Sequence, residues 1–222
     1  MYRIVFTITF ILISIVAIAQ DGTEQINQID EADYLAAGES YLEAKAFYSS
    51  GAYRESIKSF TKANQLNPNN SDYLFGRAMS YYELKKLDSA KVDIEQAIAL
   101  APGQPDYHLY AGNIYFKSRK YALAISNYEK AIKYQGNEDV YIDAINAEFN
   151  MATCYLLSDL FAKAVESFSK VLEQDEEFGD AYYNRAFANL KLGKKEAACS
   201  DFTIALSKGV EKAREKIAER CR

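Results

Sequence analysis

Residues Ser71–Gln104 read SDYLFGRAMSYYELKKLDSAKVDIEQAIALAPGQ, and this stretch decides the fold. It holds two apolar stripes at helical spacing: Leu74, Ala78, Tyr81 and Tyr82, then Leu87, Ala90, Ile94, Ala97 and Ile98. Lys85 and Lys86 separate the stripes, and the Pro102-Gly103 step ends the second, because proline lacks a backbone donor and glycine tolerates φ > 0. Each predicted helix is too short to be stable in water unless a neighbour covers its apolar face. The nature of that neighbour is the question the rest of the chain answers.

Sliding the chain against itself supplies the answer. A small residue recurs on the first helix as Ala44, Ala78, Gly112, Ala152 and Ala186, and on the second as Ser56, Ala90, Ala124, Ala164 and Ala198. A large residue follows four positions later as Phe60, Ile94, Tyr128, Phe168 and Phe202. Three further on come Ala63, Ala97, Ala131, Val171 and Ala205. All four columns step by 34, 34, 40 and 34 residues. Small residues let antiparallel helices approach closely, and the large residue fills the space left between them.

This spacing and residue set resemble the tetratricopeptide repeat family over roughly residues 37–212. Proline near the end of a copy is kept at Pro68 and Pro102, but Gly136, Glu176 and Val210 stand in the later copies. The inter-helix glycine column reads Gly51, Lys85, Arg119, Asp159 and Gly193. The first-helix aromatic column reads Phe47, Tyr81, Tyr115, Tyr155 and Asn189. The resemblance implies an all-α, right-handed solenoid of about five helix pairs. The copies are 37–70, 71–104, 105–138, 145–178 and 179–212, with an insertion at 139–144. That insertion either extends the first helix of copy four or is tolerated length variation.

The polar tail Val210–Arg222 carries one narrow apolar stripe, Val210, Ala213, Ile217 and Cys221, which suits a capping helix starting near residue 210. The ending also looks like that of secreted bacterial members of the family, which carry cysteines at the places of Cys199 and Cys221. In an oxidising compartment a Cys199–Cys221 bridge would pin the cap; two buried thiols are the alternative. Cys154 is read as a small core residue.

At the other end, Arg3 is the only charge before an apolar run from Ile4 to Ala19 that closes on Ala17-Ile18-Ala19. The run is shorter than the roughly 20 residues that span a bilayer and has the form of a secretory signal, 1–19, with an uncleaved anchor as the alternative. Export would place the chain in a periplasmic or extracellular space, with membrane contact only through a retained signal. A polar lead-in follows over 20–36, with helix starting near Asp30 or Glu31.

Chemistry is sparse. The net charge of −5 argues against a nucleic-acid face. His108 is the only histidine, with no nucleophile spaced to match, and is read as a surface or packing residue. No metal-ligand motif, phosphate loop or cofactor signature is present, and nothing points to an enzyme. The Asp175-Glu176-Glu177 run reads as a solvated turn and Asn69-Asn70-Ser71 as a weak glycosylation sequon.

In the resembled family the first helices line a concave face that binds peptides. Projection places Tyr41, Lys45 and Tyr48 of copy one there, followed by Phe75, Met79 and Tyr82. The strip continues through Leu109, Asn113 and Phe116, then Phe149, Thr153 and Leu156, and ends at Tyr183, Phe187 and Leu190. Some family members grip a terminal carboxylate with asparagines and lysines. Asn113 stands in such a place, but Asp72, Asp106 and Glu83 around it would repel a carboxylate. The expected partner is an apolar or aromatic segment of another protein, and the expected role a scaffold; the alternative is an assembly component acting through self-association or edge contacts.

Overall fold

The computed structural model describes residues 30–68, 70–135 and 144–221. These form eleven α-helices and no strand among the described residues. Copy one pairs α1 (Glu31–Ser49) with α2 (Tyr53–Leu66), and copy two pairs α3 (Ser71–Glu83) with α4 (Leu87–Leu100). Copy three pairs α5 (Pro105–Lys117) with α6 (Tyr121–Tyr134), and copy four pairs α7 (Ala144–Leu157) with α8 (Phe161–Gln174). Copy five pairs α9 (Gly179–Lys191) with α10 (Lys195–Ser207), and α11 (Ala213–Arg220) closes the array. The leader, the first ten residues of the lead-in and nearly all of the insertion before copy four lie outside the described residues.

Local chemistry explains where the helices begin and end. Asp30 caps α1 by accepting from the Ala32 N–H at 3.2 Å, and Asn70 caps α3 by accepting from Asp72 N–H at 2.9 Å. Pro105 opens α5 at the position where a missing N–H costs nothing. All five first helices then stop in the same way. The residue in the inter-helix glycine column has positive φ every time: Gly51 at 78°, Lys85 at 59°, Arg119 at 57°, Asp159 at 59° and Gly193 at 74°. The next residue's N–H reaches back to the carbonyl of Phe47, Tyr81, Tyr115, Tyr155 or Asn189 at 2.9 Å. This closes a left-handed cap that starts the second helix without a side-chain cap of its own.

All twenty residues of the four repeat columns are buried. Two departures from alanine have visible causes. A Cβ at Gly112 would stand 2.5 Å from Cε1 of Tyr128, the bulkiest side chain buried at that level, so only glycine fits. The Ser56 hydroxyl lies 3.0 Å from the Ala44 carbonyl and 2.9 Å from the Ser80 hydroxyl, so its buried oxygen is satisfied.

Polar clasps join neighbouring copies. Arg77 on α3 makes two parallel hydrogen bonds to Asp93 on α4, at 2.7 and 2.8 Å, and a third to Thr61 on α2 at 3.2 Å. Arg185 on α9 repeats the arrangement with Asp201 on α10 at 2.9 and 2.8 Å and Ser169 on α8 at 2.9 Å. Each guanidinium thus ties its own pair to the preceding one.

At the carboxy end Cys199 and Cys221 form a disulfide with Cα atoms 5.6 Å apart, fixing the end of α11 to α10. The cap is shorter than the sequence stripe suggests. Gly209, at φ 85°, ends α10, and residues 210–212 form a turn rather than helix, although Val210 still packs against the Phe202 cluster.

Candidate functional site

Successive first helices touch one another from α1 to α9, whereas second helices show no comparable contact among the described residues. The stack therefore presents the first helices side by side on its tighter face. Rings cross from copy to copy along it. Tyr41 lies 5.2 Å from Tyr73, Phe75 lies 4.6 Å from Tyr107 and 5.3 Å from Tyr110, and Tyr82 lies 6.4 Å from Tyr110.

Of the fifteen groove residues read from sequence, Thr153 donates its hydroxyl back to the Phe149 carbonyl at 2.9 Å, and the other fourteen divide into three groups. Five of them, Tyr41, Lys45, Tyr48, Phe75 and Met79, come together around one cavity of about 230 Å³ between α1 and α3. Phe60 forms its floor, Asp72 and Ser49 lie on its margin, and Gly76 forms part of its wall. The Phe60 ring reaches this level because Gly76 carries no side chain: a Cβ there would stand 2.2 Å from Cζ of Phe60. Lys45 is exposed and bends over the Tyr41 ring at 5.4 Å instead of covering the opening.

The second group packs onto the core. Phe149 lies 5.7 Å from Phe168 and stacks on Phe178 at 4.7 Å. Tyr183 and Phe187 meet Phe202 at 5.6 and 5.4 Å, edge to face. Leu109, Phe116, Leu156 and Leu190 are half-buried against the hydrophobic clusters of their own copies. The third group is polar or isolated. The Asn113 carbonyl oxygen accepts from the Tyr128 hydroxyl at 2.8 Å and from the Asn150 amide at 3.4 Å, so it satisfies a buried phenol. Tyr82 edges a separate hollow with Glu83, Lys85, Leu87 and Lys117. His108 is buried, with Nδ1 3.2 Å from Asn127 Oδ1 and Nε2 2.9 Å from the Pro102 carbonyl.

One groove residue escaped the sequence projection. Tyr110 contacts Phe75 and Tyr82, and its hydroxyl meets that of Tyr48 across α3. Its signal was the column Leu42, Gly76, Tyr110, Asn150 and Asn184, which alternates between no side chain and a large ring. Burial, reinforced by neighbouring carboxylates, raises the pKa of Tyr41, Tyr48, Tyr82 and Tyr110. These phenols stay neutral at physiological pH and can both donate and accept. Burial also pushes the Cys154 thiol up to about 12, which leaves it unreactive.

Residues 41–105 and 107–138 match two family models described as tetratricopeptide repeat. These two segments carry tetratricopeptide repeats. Among solved structures the repeat array resembles YrrB, titled a TPR protein with an unusual peptide-binding site, with TM-score 0.68 and 20% identity over 76% of this chain and 84% of that one. MamA is matched with TM-score 0.71 and 20% identity over 81% and 94%. Among curated proteins, peptidyl-prolyl cis-trans isomerase FKBP4 of Mus musculus is 29% identical over 132 residues, which is 55% of this chain and 29% of that protein. The chain thus spans less than a third of that relative's length. At these identities the structural likeness establishes the tetratricopeptide solenoid fold.

Proposed function

We propose that this protein is an exported scaffold that binds a peptide or protein partner along its aromatic first-helix face. The observation that carries the reading is the open cavity over Phe60, walled by Tyr41, Tyr48, Phe75 and Met79, on the face where successive copies meet. Half-buried aromatic side chains around a preformed hollow are the usual anchors of interfaces, because burying them further costs little side-chain entropy. YrrB, of the same fold, is described as having a peptide-binding site, which supports the reading by analogy. Export rests on the apolar leader, and the Cys199–Cys221 bridge is consistent with an oxidising compartment.

Affinity capture from the native envelope tests the binding reading, with Met79→Gln combined with Tyr82→Ala as the control. Both side chains are half-buried and the first change keeps volume, so the fold should survive. Loss of the captured partner by this variant, with helicity unchanged, supports the reading; full retention would sink it. Mass spectrometry of the exported chain tests the leader, with an amino terminus at Gln20 and one free thiol expected.

A second reading, self-association through an array edge, is favoured by α1. No helix precedes it among the described residues, where Tyr34, Leu35 and Leu42 are 61%, 61% and 66% exposed. Light scattering on wild type and on Leu35→Glu with Leu42→Glu discriminates: an oligomer dissolved by the variant supports this reading.

A further inference from the structure

The arginine clasp recurs in register. Arg77, Asp93 and Thr61 hold one guanidinium between copies one and two, and Arg185, Asp201 and Ser169 hold another between copies four and five. The repeat steps carry these three positions onto Met151, Ser167 and Glu129 between copies three and four. There the arginine is missing, and so is the aspartate that would face it. In their place is an open hollow of about 390 Å³ walled by α6, α7 and α8, and Met151, Ser167 and Glu129 all line it.

Two more lining residues fall at positions that meet a guanidinium in another copy. Glu148 stands where Tyr182 lies 5.4 Å from the guanidinium carbon of Arg185. Tyr155 stands where Tyr81 acts on Arg77. The hollow is therefore the clasp site of copy four without its cation.

The negative charge has moved rather than vanished. Ser167 is neutral, but Glu148 on α7 and Glu129 on α6 now bring carboxylates to the site. Glu166, Lys163 and Lys170 complete the charged lining. Lys170 pairs with Glu166 at 3.2 Å, and the Lys163 ammonium lies over the Tyr155 ring at 5.6 Å. Three carboxylates against two ammoniums leave one negative charge, and neither Glu129 nor Glu148 forms an ion pair among the described residues. Burial raises the pKa of Glu148, with Lys170 opposing the shift and Glu166 adding to it. A cation placed beside that carboxylate offsets its desolvation.

We infer that this hollow is a docking site for an arginine side chain of a partner protein, whose guanidinium takes the place that Arg77 and Arg185 fill in their own copies. No arginine of this chain lines it. The guanidinium fork donates to carboxylates on two helices, and its weakly hydrated faces suit the Met151 thioether and the Tyr155 ring. An ammonium lacks the fork, and a neutral urea lacks the charge. The site uses a different stripe of α7 from Phe149, Thr153 and Leu156, and it stands or falls independently of the aromatic groove.

Met151 supplies the readout. The full chain labelled at its methionine methyls reports from this hollow at Met151 and from the aromatic cavity at Met79. The probes are three blocked peptides: acetyl-Gly-Ser-Arg-Ser-Gly-amide and the same peptide with lysine or citrulline for arginine. At low salt the arginine peptide should shift the Met151 methyl saturably and leave Met79 unmoved. The lysine peptide should bind at least threefold more weakly and the citrulline peptide at least tenfold more weakly. Glu129→Gln with Glu148→Gln should weaken the arginine peptide at least tenfold with helicity unchanged.

Filling the site from within gives a second arm. Met151→Arg should leave the melting temperature level or raise it at low salt, because the arginine stem packs where the thioether did and its head meets both carboxylates. In the Glu129→Gln, Glu148→Gln background the same substitution should lower it by several degrees. No saturable shift of Met151 up to tens of millimolar, or equal binding of the arginine and citrulline peptides, overturns the docking site. Equal binding of the arginine and lysine peptides overturns the guanidinium assignment. An equal fall in melting temperature for Met151→Arg in both backgrounds shows that the carboxylates do not receive a guanidinium, and overturns the site whatever the peptide affinity.

Discussion

Copies one and two and copy five are built on the same frame, yet they present opposite surfaces. In both regions the first-helix aromatic, Tyr41 or Tyr183, lies against the large core residue of its own copy, Phe60 or Phe202, at 5.9 and 5.6 Å. In both an arginine clasps the preceding helix pair. The difference is one position: Phe187 lies on Phe202, whereas Lys45 bends over Tyr41 and leaves a cavity beside Phe60, whose ring packs against Gly76 on the neighbouring helix. A repeat frame therefore fixes where a side chain points, while the residue placed there decides between a sealed surface and a cavity.

The sharpest way to break this comparison is to remove the two core rings in turn. Phe202→Ala should cost about 4 kcal/mol, because the ring is fully buried under Tyr183 and Phe187 and the void cannot collapse. Phe60→Ala should cost less, about 3 kcal/mol, because one side of that ring already faces an open cavity. Urea unfolding of the two variants checks the order; a larger loss at Phe60 would contradict it. Reducing the Cys199–Cys221 bridge frees a loop with a sequence separation of 22 and should remove about 3 kcal/mol. In a solenoid that loss should stay local. Amide exchange should quicken in α10 and α11 and stay unchanged in α1 to α4.

The clasps should respond equally. Arg77→Met and Arg185→Met each leave an aspartate, Asp93 or Asp201, without its main partner, at 6% and 7% side-chain exposure. Each should lose about 2 kcal/mol, below the range for a fully buried pair because the guanidinium edges are partly wet. Thermal melts of the two variants should agree, and a clearly smaller loss at Arg185 would show that the disulfide-pinned end does not depend on its clasp.

Much of the fold was legible because it rests on helical spacing. Twenty column residues placed from the repeat register are all buried, and five turn positions all take positive φ. The site was less legible. Three columns led to the residues around the cavity, but nothing in a single helix projection shows that Phe187 folds onto Phe202 or that Asn113 is engaged by Tyr128. Those outcomes depend on a neighbour's side-chain volume. Gly76 was visible but unread, because its role appears only beside Phe60. Likewise, the tail stripe predicted helix from Val210, whereas Gly209 ends α10 and a turn intervenes.

The smallest effect concerns the turns that both regions share. Gly51 and Gly193 occupy the left-handed cap without strain, whereas Lys85, Arg119 and Asp159 hold the same conformation with a Cβ present. A left-handed residue with a Cβ costs roughly 1–2 kcal/mol, and asparagine and aspartate are less penalised. Part of that cost is returned by the lower entropy of the unfolded chain. Lys85→Gly and Arg119→Gly should therefore each raise stability by about 1 kcal/mol, and Asp159→Gly by less. Gly51→Lys and Gly193→Lys should lower it by a similar amount. Thermal melts of the five variants read the signs directly. If Lys85→Gly destabilised while Gly51→Lys did also, the cap would owe its geometry to side-chain contacts peculiar to each copy. The backbone hydrogen bonds common to all five first helices argue for the opposite outcome.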